Sequence, residues 1–247
     1  MTAAQSPENF TAPLPWPKRP ARLGTAVVEA LLDRIVSGEL EPGTLLPTEP
    51  RLSEAFSVSR TVIREAVKIL EQKGLVRARQ GQGTRVALPD EWSLLDPMVL
   101  EASVRHDKDL RILDDLVAVR RVLEAEMARE AAMRSTAEDR EEMRRLLGQL
   151  AADAAEPDRH MLTDLEFHDA IMRASRNRLG RAIVRAIHSE ARTSDRYNGH
   201  PVRADREASD IGHAQIYDRI VEADPEGAAT AMSQHIMGSW LARRGKP

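Results

Sequence analysis

The chain of 247 residues is 42% hydrophobic and 30% charged, which is ordinary for a globular protein. It contains no cysteine, which excludes disulfides, thiolate metal sites and cysteine nucleophiles and fits a reducing, cytoplasmic location. No apolar run approaches the roughly 18 residues of a membrane span. Aromatic residues are only 3%, and the abundance of Ala, Leu, Glu and Arg favours a mainly α fold. Residues 1–21 are rich in Pro, Ser and Thr and are predicted to form a disordered tail without the apolar core of a signal peptide.

Charge is distributed unevenly along the chain, although the net formal charge is only −3. Residues 1–89 carry a net charge of +3, and the remainder carries −6. From Arg60 to Arg85 there are seven basic residues and only two acidic ones. Two halves of opposite sign predict two domains, and the basic one is a candidate for contact with a polyanion.

The first elements in chain order are helix, helix, tight turn, helix and hairpin. Apolar residues repeat at helical spacing up to Gly38, which predicts the end of a first helix. Thr48 is the expected N-cap of a short second helix, and Ser59 caps a third helix that ends at Gly74. The runs LVRAR and TRVAL flank QGQG and predict a two-stranded hairpin. This order predicts a winged helix-turn-helix over residues 22–88.

Basic side chains on the third helix and the hairpin are placed where a DNA duplex would lie. Arg60 and Arg64 are one turn apart near the start of the helix that would enter a major groove. Arg77, Arg79 and Arg85 lie on the hairpin, where they would neutralise phosphates. The alternative is a small helical domain with a charged surface; the helix spacing and the glycine-bounded hairpin together favour DNA binding.

Beyond Pro89 the pattern changes to long helices with little strand signal. Residues 89–100 are predicted to be a linker, and residues 101–247 an all-helical bundle of six to seven helices. Thr136 followed by Asp139 is typical of a helix N-terminus. The predicted helices cover residues 109–133, 137–154, 159–174, 179–196, 205–223 and 226–242.

Four residues of this half have side chains and spacing suited to a metal ion. Asp164 and His168 are four apart, so a helix would present both on one face. His213 and His235 occur in later helices beside apolar residues. One carboxylate and three imidazoles suit Zn²⁺, Ni²⁺ or Mn²⁺ better than Ca²⁺, and leave positions for water or a small ligand. The alternative is that the Asp-x-x-x-His pair is an ordinary surface pair.

Two parts of the chain resemble a known family. The stretch LPTEPRLSEAFSVSRTVIREAVKILEQKGLVRARQGQGTRV resembles the DNA-binding domain of the GntR family of bacterial transcription regulators. RRVLEAEMAREAA, DLEFHDAIMRASRN and the two later histidines resemble the helical effector domain (FCD) of its FadR-like branch. The resemblance implies a homodimer on a palindromic operator in double-stranded DNA, with a metal and a small carboxylate effector bound in the helical domain. The segment EWSLLDPMVL is similar to that of regulators that respond to sugar acids.

The resemblance also implies which residues contact DNA. The family commonly has Glu-Arg-Glu-Leu at the start of the second helix, whereas this chain has Glu49-Pro50-Arg51-Leu52. Pro50 therefore stands where an arginine is usual, and Gln80 stands at a wing position that is histidine in the fatty-acid-responsive member. The expected DNA-binding residues are Arg51, Ser59, Arg60, Thr61, Arg64, Gln80, Gly81 and Gly83.

In the helical domain, the resemblance assigns the metal to the four residues above and the effector to Arg120 and Asn177. Arg120 would pair with a ligand carboxylate, since a guanidinium suits that role. Its alternative is an ordinary i,i+4 pair with Glu124. Asn177 follows the helix that carries Asp164 and His168. The alternative role for Asn177 is to cap the helix that comes next.

The resulting hypothesis is a metal-dependent, ligand-responsive transcription regulator, a repressor and not an enzyme. One alternative is a helical metal-dependent phosphohydrolase that uses the adjacent His168 and Asp169. Another keeps the DNA binding but leaves the histidines as the lining of a polar pocket without a metal.

Overall fold

Helices account for most of the chain in the computed structural model, which describes residues 20–192, 194–199 and 201–244. These residues divide into two compact units, of which the first ends at Ser93 and the second begins at Leu94. The predicted tail lies outside the described residues, except that α1 already begins at Pro20. None of the described helices is both long and apolar enough to cross a membrane. The prediction of a mainly α fold is confirmed.

The first unit is a winged helix-turn-helix, as the sequence predicted. Its two strands are antiparallel, with Val76 opposite Val86 and Arg79 opposite Gly83. An isolated bridge between Leu45 and Arg85 adds the segment before α2 to this sheet. The elements are α1 (Pro20–Val36), α2 (Glu49–Ala55), α3 (Arg60–Gln72), β1 (Val76–Arg79) and β2 (Gly83–Val86).

The caps and the apolar stripe explain how α3 is placed. The Ser59 side chain accepts a hydrogen bond from the Val62 amide and caps the helix. Ile63, Ala66 and Leu70 are buried on one face of α3, which packs against α1. The opposite face of the helix is therefore left to solvent.

Thr48 occupies the N-cap position of α2 but makes no capping hydrogen bond with its side chain. Pro50 is the second residue of this helix and has no amide proton to donate. The predicted N-cap at Thr48 is therefore confirmed, although its side chain contributes no capping hydrogen bond.

Gly74 ends α3 with a left-handed φ of +75°, which favours glycine. A Cβ at this position would also collide with the backbone carbonyl of Glu91. The amide of Ser93 donates to the carbonyl of Lys73 at 3.0 Å and closes the same junction. Glycine is therefore required for the chain to return along α3 after the wing.

The second unit is an all-helical bundle. The long α5 packs against α11, α7, α10 and α8, so it forms the centre of the unit. Its core is mostly aliphatic and includes Leu113, Leu146 and Ile216; its aromatic members are Phe167, Tyr197 and Trp240. The helices are α4 (Pro97–Arg105), α5 (Arg111–Arg134), α6 (Ala137–Asp153), α7 (Pro157–Ala174), α8 (Arg178–Ala191), α9 (Asp195–Asn198), α10 (Arg203–Val221) and α11 (Pro225–Arg244).

Two helix predictions in this unit need correction. The segment predicted as a linker over residues 89–100 contains the start of α4, where the Asp96 side chain accepts from the amides of Met98 and Val99. The helix predicted over residues 179–196 ends at Ala191, and the short α9 follows as a separate helix. The apolar spacing alone did not reveal this break.

Candidate metal centre and DNA-binding surface

Four side chains from three helices of the second unit converge on one point. Asp164 and His168 lie one turn apart on α7 and therefore point the same way. His213 comes from α10 and His235 from α11. One ligand atom from each residue lies within 4.8 Å of all the others. The structure thus brings together the four residues that the sequence singled out.

The donor atoms of this cluster face one another. Nε2 of His168 lies 3.2 Å from Nε2 of His235, and Nε2 of His213 lies 3.1 Å from Oδ1 of Asp164. Both ring nitrogens of His213 are buried without a well-oriented hydrogen bond. Such unsatisfied atoms are costly, and a cation at the centre would satisfy the one that faces it. Ligands of one Zn²⁺ ion lie at most ~4.4 Å apart, so small side-chain shifts would fit the cluster to an ion.

The carboxylates around the cluster favour a positive charge at its centre, which in the metal-free protein is a proton on His213. Burial disfavours the charged form of His213, but Asp164 and Asp210 outweigh it and raise the pKa of this imidazole to about 8. Burial and the adjacent His213 and His168 hold the pKa of His235 well below its usual value. The pKa of Asp164 is also well below its usual value, because the neighbouring histidines outweigh the effect of burial. His235 is thus neutral and Asp164 is ionised, as metal ligands must be.

Arg120 connects this cluster to other buried groups. Its Nε donates to Oε1 of Glu124 at 2.7 Å, and its Nη1 donates to the hydroxyl of Tyr197. The other oxygen of Glu124 lies 2.7 Å from Nδ1 of His168. The i,i+4 pair that the sequence left open is therefore present, and it is buried rather than on the surface.

A cavity of about 440 Å³ opens beside the cluster. Asp164 and His235 line it together with Arg120, so a ligand inside could reach both the cluster and a guanidinium. Arg206 and Arg243 line other parts of the same cavity. This volume lies within the ~300–1,000 Å³ that is usual for small-molecule sites.

Asn177 lies outside this cavity lining in the described part of the chain. It is the N-cap of α8, and its Oδ1 accepts from the amide of Gly180 at 3.0 Å. The capping alternative for Asn177 is therefore what the structure displays.

Asp169, the neighbour of His168, is paired elsewhere. Both of its carboxylate oxygens accept from Arg181, at 2.8 and 2.9 Å. A phosphohydrolase of the kind considered above would need His168 and Asp169 on the same ion, and the geometry does not provide this.

The DNA-binding residues predicted from the sequence all belong to the first unit. Arg60 and Thr61 are exposed in the first turn of α3. Arg64, one turn later, is exposed as well, and its Nε donates to Oε2 of Glu49 at 2.7 Å. This bond ties α3 to α2 and leaves the terminal nitrogens of Arg64 available. The others, Arg51, Ser59, Gln80, Gly81 and Gly83, are also exposed.

The three arginines of the wing differ in their surroundings. Arg77 forms an ion pair with Glu91, and Nη1 of Arg85 donates to the carbonyl of Gly43 at 2.9 Å. Arg79 is exposed at the end of β1, next to the turn. Two of the three arginines predicted to neutralise phosphates therefore also bond to other parts of the first unit.

Sequence reasoning missed the residues that surround the cluster. Glu124 was considered only as an ordinary i,i+4 partner of Arg120, and Asp210 was not considered at all. The i,i+4 spacing to Arg120 and the i,i+3 spacing to His213 were the available signals. Neither spacing shows burial, and burial is what distinguishes these carboxylates from surface ones.

A winged helix-turn-helix joined to a helical unit with a ligand-sized cavity defines a DNA-binding transcription regulator. Residues 23–86 match the family described as bacterial regulatory proteins, gntR family, and residues 115–238 match the FCD domain. The chain belongs to the GntR family of transcriptional regulators, in its FadR-like branch with an FCD domain. It is accordingly a regulator and not an enzyme. FCD domains are known to bind metals.

Individual relatives agree with this assignment. An uncharacterized HTH-type transcriptional regulator, YieP of Escherichia coli K12, is 32% identical over 85% of this chain and 90% of its own length. The galactonate operon transcriptional repressor of the same organism is 29% identical over 86% of this chain and 93% of its own. A solved structure of Lar, which controls expression of the Listeria monocytogenes agr system, is similar in fold, with a TM-score of 0.55 and 20% identity over 89% of this chain and 95% of that one.

Proposed function

We propose that this regulator is a metal-dependent repressor that responds to a small carboxylate, most specifically a sugar acid. The observation that carries the proposal is the position of Asp164 and His235, which belong to the four-residue cluster and also line the cavity. A ligand in the cavity would therefore meet the metal directly. The effector would then shift the protein between DNA-binding and non-binding states, to the extent that it binds one of them better.

The metal would be held by Asp164, His168, His213 and His235. Zn²⁺ suits this donor set best, and Ni²⁺ or Mn²⁺ are alternatives. When bound, the ion would supply positive charge and free coordination positions for a carboxylate. The protein would keep the four donors in place through the packing of α7, α10 and α11.

The effector would be anchored by charge and by hydrogen bonds. Arg120 lines the cavity and has donors beyond those used by Glu124 and Tyr197, because a guanidinium carries five N–H groups. Ser209 and Ser239 also line the cavity and suit the hydroxyl groups of a sugar acid. The relationship to a galactonate operon repressor supports this class of effector. The earlier assignment of Asn177 to the effector has no support from its position as a helix cap.

The DNA would be read by two copies of the chain. Dimerisation is typical of the family, and a two-fold dimer fits a palindromic operator. Arg60 and Arg64 would face the major groove, while the wing tip around Gly81 would lie along the backbone. The protein would act in the cytoplasm. A mass in solution of twice the chain mass of 27.5 kDa would support the dimer, and a mass equal to one chain would exclude it.

Thermal unfolding tests the effector proposal directly. The protein would be melted with a panel of sugar acids and small di- and tricarboxylates, before and after removal of metal by a chelator. A ligand at 100 times its Kd stabilises the folded state by about 2.7 kcal/mol. A hit that disappears after metal removal supports coordination of the effector to the metal. A hit that survives would keep the sensor but reduce the histidines to a polar lining.

A further inference from the structure

Two histidines of the cluster are backed by carboxylates that do not belong to it. Oε2 of Glu124 lies 2.7 Å from Nδ1 of His168. Oδ1 of Asp210 lies 3.5 Å from Nδ1 of His213. In both rings the opposite nitrogen, Nε2, faces another member of the cluster. Each imidazole therefore has a carboxylate behind it and the metal position in front of it.

The two carboxylates hold their histidines unequally. The side chain of Glu124 is 1% exposed. Each of its two oxygens has a partner, Arg120 on one and His168 on the other. The side chain of Asp210 is 20% exposed, and its Oδ1 also lies 2.9 Å from Nε2 of His160. Glu124 is thus the closer and better shielded partner.

The guanidinium of Arg120 keeps the Glu124 carboxylate ionised. A buried carboxylate beside a permanent positive charge is ionised, and an ionised carboxylate only accepts hydrogen bonds. Nδ1 of His168 must therefore carry the proton of the bond to Glu124. A neutral His168 then has its lone pair on Nε2, the atom that lies 3.2 Å from Nε2 of His235.

We propose that Glu124 is a positioning residue of the metal site, which selects the His168 tautomer that leaves Nε2 free to bind the ion. Asp210 lies behind His213 at a longer distance and without a well-oriented hydrogen bond, so the role is assigned to Glu124 alone. The inference rests on the proposed function, since it supposes that the cluster binds a metal. Carboxylates that orient a metal-bound histidine in this way typically contribute 10–100-fold to metal affinity.

The substitution Glu124→Gln tests this role with almost no change in size. The amide has one oxygen and one NH₂ group, and Arg120 can only donate, so the oxygen faces Arg120 and the NH₂ faces His168. His168 must then accept at Nδ1, and its proton moves to Nε2, where it blocks the metal. Asp153→Asn is the matched control, because Asp153 is a buried carboxylate of the same unit that bonds Gln149 and Thr163 instead of the cluster.

Two measurements are made on each protein. The first is Zn²⁺ affinity by competition with a chromophoric chelator. The second is the ¹⁵N spectrum of the histidine side chains in metal-free protein at pH 8.5, which identifies the tautomer of His168 without any metal. We expect Glu124→Gln to bind Zn²⁺ about 10–100-fold more weakly and to show the Nε2–H tautomer, with Asp153→Asn unchanged in both.

Wild-type Zn²⁺ affinity in Glu124→Gln, or an unchanged tautomer, would overturn the inference while leaving the metal site itself intact. Absence of Zn²⁺ binding by the wild-type protein would instead overturn the proposed function, and the inference with it. Should Glu124→Gln fail to fold, the tautomer of His168 in the metal-free wild-type protein decides. The Nδ1–H tautomer supports the role of Glu124, and the Nε2–H tautomer contradicts it.

Discussion

Gly212 lies directly against the imidazole of His235, so that a Cβ added at Gly212 would be 2.6 Å from Nδ1 of the ring. A separation this short forces one of the two to move. The absence of a side chain at position 212 is therefore part of how α10 and α11 place this histidine of the cluster.

The substitution Gly212→Ala is expected to weaken Zn²⁺ binding by about tenfold, because it displaces His235 from the cluster. Chelator competition measures the effect. Gly148→Ala is the control: it lies in α6 with open space around it, and alanine there should stabilise the helix by up to ~1 kcal/mol. Equal Zn²⁺ affinity in Gly212→Ala and Gly148→Ala would show that the close approach has no bearing on the metal.

Zinc affinity should depend on pH through His213, whose pKa is raised to about 8. The proton and the metal compete for this ring, so affinity should fall roughly tenfold per pH unit below about 8 and level off above it. In metal-free protein the folding stability changes with pH in the opposite direction. The charged His213 stabilises the fold fully below its unfolded pKa of about 6.5, and this contribution is lost as the pH rises through about 8. Competition titrations from pH 6 to 9 measure the first effect, and a flat profile would contradict it.

Arg64→Ala should weaken DNA binding without loss of folding, because Arg64 is exposed on α3 and its ion pair among the described residues is with the surface residue Glu49. If it contacts one phosphate, the slope of log affinity against log salt should also fall by about 0.9. Fluorescence anisotropy at several salt concentrations gives both quantities. Arg145→Ala, an exposed arginine of the second unit paired with Glu142, should change neither. An identical salt slope and affinity in Arg64→Ala would remove this residue from the DNA surface.

Arg120→Ala should destabilise the protein by about 3–5 kcal/mol, because it leaves Glu124 buried without its partner charge. Chemical unfolding measures the loss. Arg203→Ala breaks an i,i+4 pair of the same kind with Glu207, but both side chains there are largely exposed, so the cost should stay below ~0.5 kcal/mol. Similar costs for the two variants would mean that the burial of the Arg120 pair contributes nothing.

The fold of the first unit was predictable because its signals are local. The Ser59 cap, the apolar stripe of α3 and the glycine at position 74 each act within a few residues. The start of α4 was missed although Asp96 and Pro97 are ordinary helix-start residues, because the sequence around them was read as a linker. The correct prediction of the first unit and the missed start of α4 both concern short-range features that a single sequence contains.

The four cluster residues could be proposed from the sequence, but only in part from spacing. The Asp164 and His168 pair follows from one helical turn, whereas His213 and His235 lie 45 and 67 residues beyond His168. Their residue type made them candidate ligands, and the resemblance to a family supported grouping them with the pair on α7. Glu124 and Asp210 could not be found in this way, since their role depends on which helix faces are buried against α7 and α10. That information arises from packing and not from local pattern.

Because the effector is proposed to control DNA binding through the metal, DNA affinity with and without the metal is the decisive quantity. A DNA fragment selected from a random pool by the metal-loaded protein would be titrated with and without a sugar acid that raises the melting temperature. We expect the sugar acid to weaken DNA binding by metal-loaded protein and to have no effect after the metal is removed. An equal response in both forms, or no response in the metal-loaded form, would contradict it.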